Sequence, residues 1–553
     1  MEPMLASDEL MRPAVLSRGR RAAVVLLAAV AVLVPGAFAS SAQAAASAVA
    51  NEQRTSRYLE QVRHEPAKLR AFLLAMPKGG DLHNHLSGAV PTETLIRLAI
   101  DDGLCIATAT MTAQYKATPS PAASTVGAVG ALLEDPPACP AGQRPAAGTR
   151  TDLAFKDQLV RAWSMEGFVP GAETGHDHFF ATFGKFGAAT QRKGDLLADV
   201  ANINAAQHVL YLETLASRQS NGLRDLVKQV SYDANFEVLR QELLAKGMSK
   251  VVAGASAETD GDADRFDELL GCKTPTPQPG CSVTIRYDYQ VGRATDPLTV
   301  FAGLLLGFEL QRSDHRYVGV NLVQPEDAPI AVRDYALHMK MIRYLRSAYR
   351  GTHVTLHAGE LVPGLTAPKA LTFHIRQAVE VAGAERIGHG VDLVHETDYR
   401  GLLKKMAARH VLLEAPLTSN AQILGVSGSA HPFPVYRAAH VPVALATDDP
   451  GVSRIDFTHE FELATKEYRL RYRDLKRLAR ASLEHAFLPG RSLWHAPDEY
   501  RVAAPCAHDV PGAKHPGARC RHLLHGSAKA TVQWAQEARS RAFERRMAGA
   551  RRR

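Results

Sequence analysis

From Pro77 onward the chain alternates between two kinds of apolar spacing. Compact runs dominated by apolar residues are followed by longer stretches in which they return every three or four positions. The first pattern fits strands and the second amphipathic helices. Eight runs read as strands: "GDLHNHL" (80–86), "HVLYLETL" (208–215), "VTIRYDYQ" (283–290), "YVGVNLV" (317–323), "HVTLHA" (353–358), "RIGHG" (386–390), "VLLEA" (411–415) and "VPVALATDD" (441–449). Helical patterns lie between them, such as "DYALHMKMIRYLRSAYR" after the fourth and "HIRQAVEVAG" after the fifth. Strands that alternate with helices in this number predict an α/β fold, a (β/α)8 TIM-type barrel. A doubly wound open sheet is the rival, but no glycine-rich phosphate turn follows the first strand. Upstream, residues 52–75 predict a helix leading into Pro77.

Two stretches interrupt the alternation. Residues 103–150 are rich in Ala, Pro, Thr and Gly, and residues 488–525 carry many prolines. Both read as excursions from one barrel. The six cysteines fall as local pairs, Cys105 with Cys139, Cys272 with Cys281, and Cys506 with Cys520. Structural zinc would call for C-x-x-C spacing, which is missing, so three sequential disulfides are expected.

The head of the chain places those disulfides in an oxidising compartment. "RGRRAAVVLLAAVAVLVPGAFASSAQAAA" has a basic start, an apolar stretch from Ala22 to Val34 and A-x-A sites ending at Ala39 and Ala44. It reads as a secretory signal over residues 1–44, too short for a confident membrane span. A helical extension over 45–76 and the barrel over 77–553 follow. The expected product is secreted or periplasmic, without a stable membrane anchor. The formal charge of +8 suggests nucleic acid, but much of the excess lies in the tails, with Arg12, Arg18, Arg20 and Arg21 at the head. Arg539, Arg541, Arg545, Arg546 and Arg551 to Arg553 read as a solvated basic tail, and no basic patch interleaved with aromatics supports a nucleic-acid partner.

In a barrel of this kind chemistry gathers where strands run into the following loops. The first strand ends in His83 and His85, the fifth in His357 followed by Glu360, the sixth in His389, and the eighth in Asp448 and Asp449. A strand-end histidine is ordinarily a structural residue, and Asp-Asp-Pro is ordinarily a turn. All of them at one face of one barrel is a different matter. Three imidazoles and a carboxylate suit zinc, one ion per chain, and an open position on it would bring the pKa of water to about 7. Glu360 is placed to move protons without being a ligand.

These residues fall within "MPKGGDLHNHLSG", "TLHAGE", "RIGHG", "LTSN" and "ATDDPGV", and the set resembles the adenosine deaminase family of metal-dependent hydrolase barrels. The head and the first cysteine-bearing excursion are similar to its secreted, growth-factor-related branch. So is "WSMEGFVPGAETGHDHFFATFGKF" (163–186), which resembles an aromatic helix before the second strand there. The resemblance implies zinc ligation by His83, His85, His357 and Asp448. It implies that Glu360 protonates purine N1, that His389 positions the attacking oxygen, and that Asp449 meets purine N7. Adenosine and 2′-deoxyadenosine would lose ammonia; the partner is a small-molecule purine nucleoside, and a homodimer is compatible with this reading.

Two positions depart from the family pattern. Ser87 stands where many members carry an acid facing the ribose 5′ side, and Gln324 stands about where a glycine meets purine N3. Both are sugar-side candidates. They leave open a different 6-aminopurine, such as adenine or a modified adenosine, as substrate. A secreted binding or signalling protein with a vestigial site is the non-enzymatic alternative, disfavoured because binding alone would not require Glu360 beside the metal.

Overall fold

The computed structural model describes residues 36–115, 139–496 and 499–549, so most of the expected signal segment lies outside the described residues. Eight parallel strands form the centre: β1 (Gly79–His85), β2 (Val209–Ala216), β3 (Thr284–Gly292), β4 (Tyr317–Val323), β5 (Thr355–Ala358), β6 (Arg386–His389), β7 (Leu412–Ala415) and β8 (Val443–Leu445). β1 to β4 pair in chain order as one sheet, and β5 to β8 as a second. Single parallel bridges join the sheets at both edges, Val320 to Val354 and Asn84 to Asp448. The (β/α)8 architecture is therefore as expected, with shorter strands at the C-terminal half. Strand β8 keeps only Val443–Leu445 of the nine-residue run, because Asp448 takes a left-handed backbone (φ 61°) that leaves the strand conformation.

The single helix expected over 52–75 is two: α1 (Gly36–Val62) and α2 (Pro66–Ala75). Pro66 lacks an N–H and its ring excludes the preceding turn, so it opens a helix and does not continue one. The break lets Arg63 donate to the carbonyls of Thr465 and Leu470, which ties the extension to the barrel. Lys78, fully buried where α2 meets β1, donates from Nζ to the carbonyls of Leu73, Leu74, Met76 and Gln207. Lys78→Met would strand carbonyls at the end of α2, and each buried orphan costs about 1–3 kcal/mol. Chemical denaturation of that variant should show a loss of at least about 3 kcal/mol; a loss below about 1 kcal/mol would mean that water reaches these carbonyls.

The three disulfides pair as expected. The first excursion forms a small antiparallel sheet of Cys105–Ala107, Thr112–Gln114 and Gln143–Pro145. A further excursion between β2 and β3 was not foreseen. It holds helices Ser220–Val227, Phe236–Ala245 and α3 (Met248–Leu270), followed by the Cys272–Cys281 loop. The C-terminal excursion has its own apolar cluster around Trp494, Cys506, Cys520 and Trp534.

The basic tail is corrected over most of its length. Arg539, Arg541, Arg545 and Arg546 lie on α5 (Ala528–Gly549), which packs on α1 and on α4 (Tyr472–His485). Phe543 is buried there, and Glu544 accepts from Tyr472 and Lys476. That anchored face, not the arginines, decides the conformation. Arg551 to Arg553 lie outside the described residues. Among the described residues no helix is long and apolar enough to cross a membrane.

Candidate active site

The strand ends deliver the expected side chains to one point. His83 and His85 finish β1, His357 lies in β5, and Asp448 follows β8 across the seam, where its N–H donates to the His83 carbonyl. Nε2 of His357 is 3.0 Å from Nε2 of His83 and 3.1 Å from Nε2 of His85. Asp448 Oδ1 lies 3.4 and 3.2 Å from those same two nitrogens. Ligand atoms of a tetrahedral zinc site sit about 3.3 Å apart, given bonds of about 2.0–2.1 Å.

The other ring nitrogens fit a candidate cation site better than a knot of hydrogen bonds. His83 Nδ1 faces Glu414 Oε2 at 2.8 Å, His357 Nδ1 faces Asn321 Oδ1 at 2.9 Å, and His85 Nδ1 faces Gln290 Oε1 at 3.2 Å. Each Nδ1 thus has an oxygen to donate to, which leaves a lone pair on each Nε2 turned toward the same centre. Lone pairs so close together repel unless a cation lies between them. Titration behaviour agrees. Burial works against protonation of His83, but hydrogen bonds to Asp448 and Glu414 outweigh it and push its pKa up to about 10. Burial and the neighbouring His83 hold His357 well below the ordinary imidazole range. The cluster wants one positive charge and resists a second proton. A metal ion with nitrogen and oxygen preference fits it.

Glu360, His389 and Asp449 border the same space. The Glu360 N–H donates to Glu326 Oε2 at 2.8 Å, and burial together with the Asp448 and Glu326 carboxylates raises its pKa well above the ordinary carboxylate range. His389 adopts φ 70° and its Nδ1 is 2.8 Å from Asn420 Oδ1. Its Nε2 is buried without a hydrogen-bond partner among the described residues and points near Asp448 Oδ2 at 3.9 Å. Asp449 Oδ1 is likewise buried and unpartnered among the described residues. Two left-handed non-glycine residues, His389 and Asp448, thus stand at the centre; such strain is retained where surrounding contacts dictate it.

These groups open on a cavity of about 390 Å³ lined by His85, Ser87, His357, Glu360, Asp448 and Asp449 on one side. Gln290, Val323, Gln324, Pro325, Phe179, Phe180 and Phe183 complete the lining. Ser87 and Gln324 therefore border the cavity, though Gln324 is exposed and its Oε1 accepts from the Ala294 N–H. The phenylalanines come from the aromatic helix, Gly175–Phe186. His176, at the start of that helix, reaches Asp327 in the loop after β4 at 3.0 Å.

Sequence reasoning missed the residues that hold the ligands. Glu414, Asn321 and Gln290 orient the imidazoles, Ser419 donates to Asp448 Oδ2 at 2.6 Å, and Asn420 meets His389. One signal was available: Glu414 is a lone acid in the apolar run "VLLEA", and a buried acid needs a partner.

The fold and site define a (β/α)8 barrel with a three-histidine, one-aspartate candidate metal site. Comparison carries the assignment further. The adenosine deaminase family model matches residues 310–493. An adenosine deaminase of Escherichia coli (strain SE11) is 35% identical over 144 residues, 26% of this chain and 40% of the relative. The chain resembles adenosine deaminases over this part of its sequence, and it spans about two fifths of the length of the curated relatives it matches. Among solved structures, the adenine deaminase of Arthrobacter aurescens is 18% identical with a TM-score of 0.44, covering 74% of this chain and 94% of its own. The N6-methyl-AMP deaminase of Arabidopsis thaliana is also 18% identical, with a TM-score of 0.46, covering 76% of this chain and 94% of its own.

Proposed function

We propose that the protein is an exported, zinc-dependent hydrolytic deaminase that takes adenosine and 2′-deoxyadenosine to the 6-oxo products and ammonia. The observation that carries this reading is the convergence of ligating atoms of His83, His85, His357 and Asp448, and of Glu360 and His389 on Asp448, with His85, His357, Glu360, Asp448 and Asp449 lining one cavity. The four ligands would hold a single zinc ion, which supplies Lewis acidity and lowers the pKa of water to about 7.

The chain's own residues do the rest. Glu360, kept protonated by burial and neighbouring carboxylates, gives its proton to purine N1 and so draws electron density from C6. His389 Nε2, free of other partners among the described residues, orients the attacking oxygen and stabilises charge at C6. Asp449 holds the ring by N7. As the C6–N bond breaks, the amino group leaves as ammonia. Phe179, Phe180 and Phe183 cover an apolar surface and exclude water.

Among the described residues no lysine or arginine lines the cavity, which favours a nucleoside over a nucleotide because a buried phosphate would lack a counter-charge. Purified zinc-loaded protein should release ammonia from adenosine and deoxyadenosine well ahead of AMP and adenine. Preference for AMP would overturn the nucleoside reading. At the sugar end a serine makes a weaker bond to a 5′-hydroxyl than a carboxylate does. Ser87→Asp should therefore sharpen the preference for adenosine over 5′-deoxyadenosine; an unchanged ratio would remove Ser87 from the site.

The His176 contact predicts a pH effect. Burial opposes its protonation, but the hydrogen bonds to Asp327 and Asp177 outweigh it, and the pKa is pushed up to about 9. An unfolded imidazole titrates near about 6.5. The folded pKa is raised, so the ion pair's contribution is complete below about pH 6.5 and is lost as pH rises through about 9. KM for adenosine should rise across that upper window, and His176→Gln should flatten the rise. A rise of equal size in the variant would assign the effect elsewhere.

A further inference from the structure

Below the histidines the barrel interior holds one buried cation among three buried acids. Arg386, the first residue of β6, directs Nη1 to Glu213 Oε2 on β2 at 2.5 Å and Nη2 to Asp288 Oδ2 on β3 at 2.9 Å. Its Nε lies 2.6 Å from Glu414 Oε1 on β7. All four side chains are essentially inaccessible to solvent. Glu213, Asp288 and Glu414 come from strands on opposite sides of the ring, so a single guanidinium spans the interior and ties both sheets together.

Glu414 continues the connection upward. With Oε1 on Arg386, its Oε2 accepts from His83 Nδ1, and Thr355 Oγ1 donates to the same carboxylate. A carboxylate hydrogen-bonded to a ligating imidazole fixes the ring's tautomer and orientation and raises its basicity. Beneath it, Arg386 faces Oε1 of Glu414 as its ion-pair partner. Arg386 is seated in turn by the segment that follows α4. The Phe487 ring stacks 3.8 Å from the guanidinium carbon, the Phe487 N–H donates to Glu213 Oε1, and the His485 carbonyl accepts from Arg386 Nη1 at 3.2 Å.

We propose that Arg386 is a positioning residue of the metal centre, seated by Phe487 and acting on His83 through Glu414. This rests on the zinc-site reading above. A merely structural Arg386 would affect folding stability but not the grip on the metal at temperatures where the protein is folded. A positioning Arg386 affects the grip itself. Arg386→Lys keeps the charge but cannot serve three carboxylates from a fork, and Arg386→Met removes both charge and fork.

The measurement is the rate at which zinc-loaded full-length protein gives up zinc to an excess of a chromogenic chelator, with thermal unfolding recorded in parallel. Loss of an outer partner of a ligating histidine commonly costs about 10–100-fold in metal affinity. Release should therefore quicken about tenfold in Arg386→Lys and up to about 100-fold in Arg386→Met and Glu414→Gln. The double variant R386M/E414Q should release no faster than the faster single variant, because both changes cut one path. Phe487→Ala should quicken release by a smaller factor.

Release at the wild-type rate in Arg386→Lys, or rate increases that simply multiply in the double variant, would overturn the proposal even if unfolding temperatures drop. Should Arg386→Met fail to fold, Arg386→Lys, Phe487→Ala and Glu414→Gln still decide it. A wild-type chain that takes up no zinc would sink the metal-centre reading; wild-type uptake with unchanged release from the variants would sink only the role of Arg386.

Discussion

Replacing Glu360 by glutamine is expected to lower kcat by about 10²–10⁴-fold while zinc stoichiometry stays at that of the unaltered protein. The substitution keeps the shape of the side chain and the backbone N–H bond to Glu326 that fixes the turn. It removes only the exchangeable acid proton. Glu360 is outside the four-residue ligand group formed by His83, His85, His357 and Asp448, so the metal should not notice the change. KM should move little, because an amide still fits the cavity. An enzyme that kept zinc and near-normal turnover as Glu360→Gln would show that another group delivers the proton to N1. Loss of zinc along with activity would instead make Glu360 part of the metal's own shell, a possibility raised by its proximity to His389 and Asp448.

The fold was legible because strands buried on both faces stand out as compact apolar runs, and all eight were found within a few residues. The site was legible because its chemistry is concentrated at strand ends, where histidines and paired aspartates are unusual. The excursion between β2 and β3 was not legible. Its helices, such as α3, carry the same apolar spacing as barrel helices, so nothing in composition marks them as additional. The break at Pro66 is visible in the sequence, but the apolar spacing continues on both sides of it and reads as one longer helix.

The charged interior escaped for a deeper reason. Glu213, Asp288, Arg386 and Glu414 are scattered over about 200 residues, and each alone reads as a polar position in a strand. Only strand order and register bring them together, and periodicity does not encode which strands face each other across a barrel. The same holds for Phe179, Phe180 and Phe183. Their aromatic character was visible, but the surface they cover depends on where the helix lands.

7-Deazaadenosine should be a very poor substrate, with kcat/KM lower than for adenosine by about 10²–10⁴-fold. Asp449 Oδ1 is buried and has no partner among the described residues, and the side chain borders the cavity, so purine N7 is the group that would satisfy it. Burial, with the charge of Asp448 adding to it, raises the Asp449 pKa well above the ordinary carboxylate range, which equips the acid to donate to a ring nitrogen. A carbon at position 7 cannot accept that proton, and the polar group is then enclosed unpaired. Gly88 supplies the control. A Cβ at that position would lie 1.8 Å from Asp449 Oδ1, so Gly88→Ala must push the carboxylate aside. If Asp449 reads N7, Gly88→Ala should cost most of the activity on adenosine and much less of what remains on 7-deazaadenosine, since the contact is already missing there. Equal turnover of adenosine and its 7-deaza analogue by the unaltered protein would remove Asp449 from that role. An equal loss on both substrates in Gly88→Ala would mean that the alanine harms the site by a route other than N7.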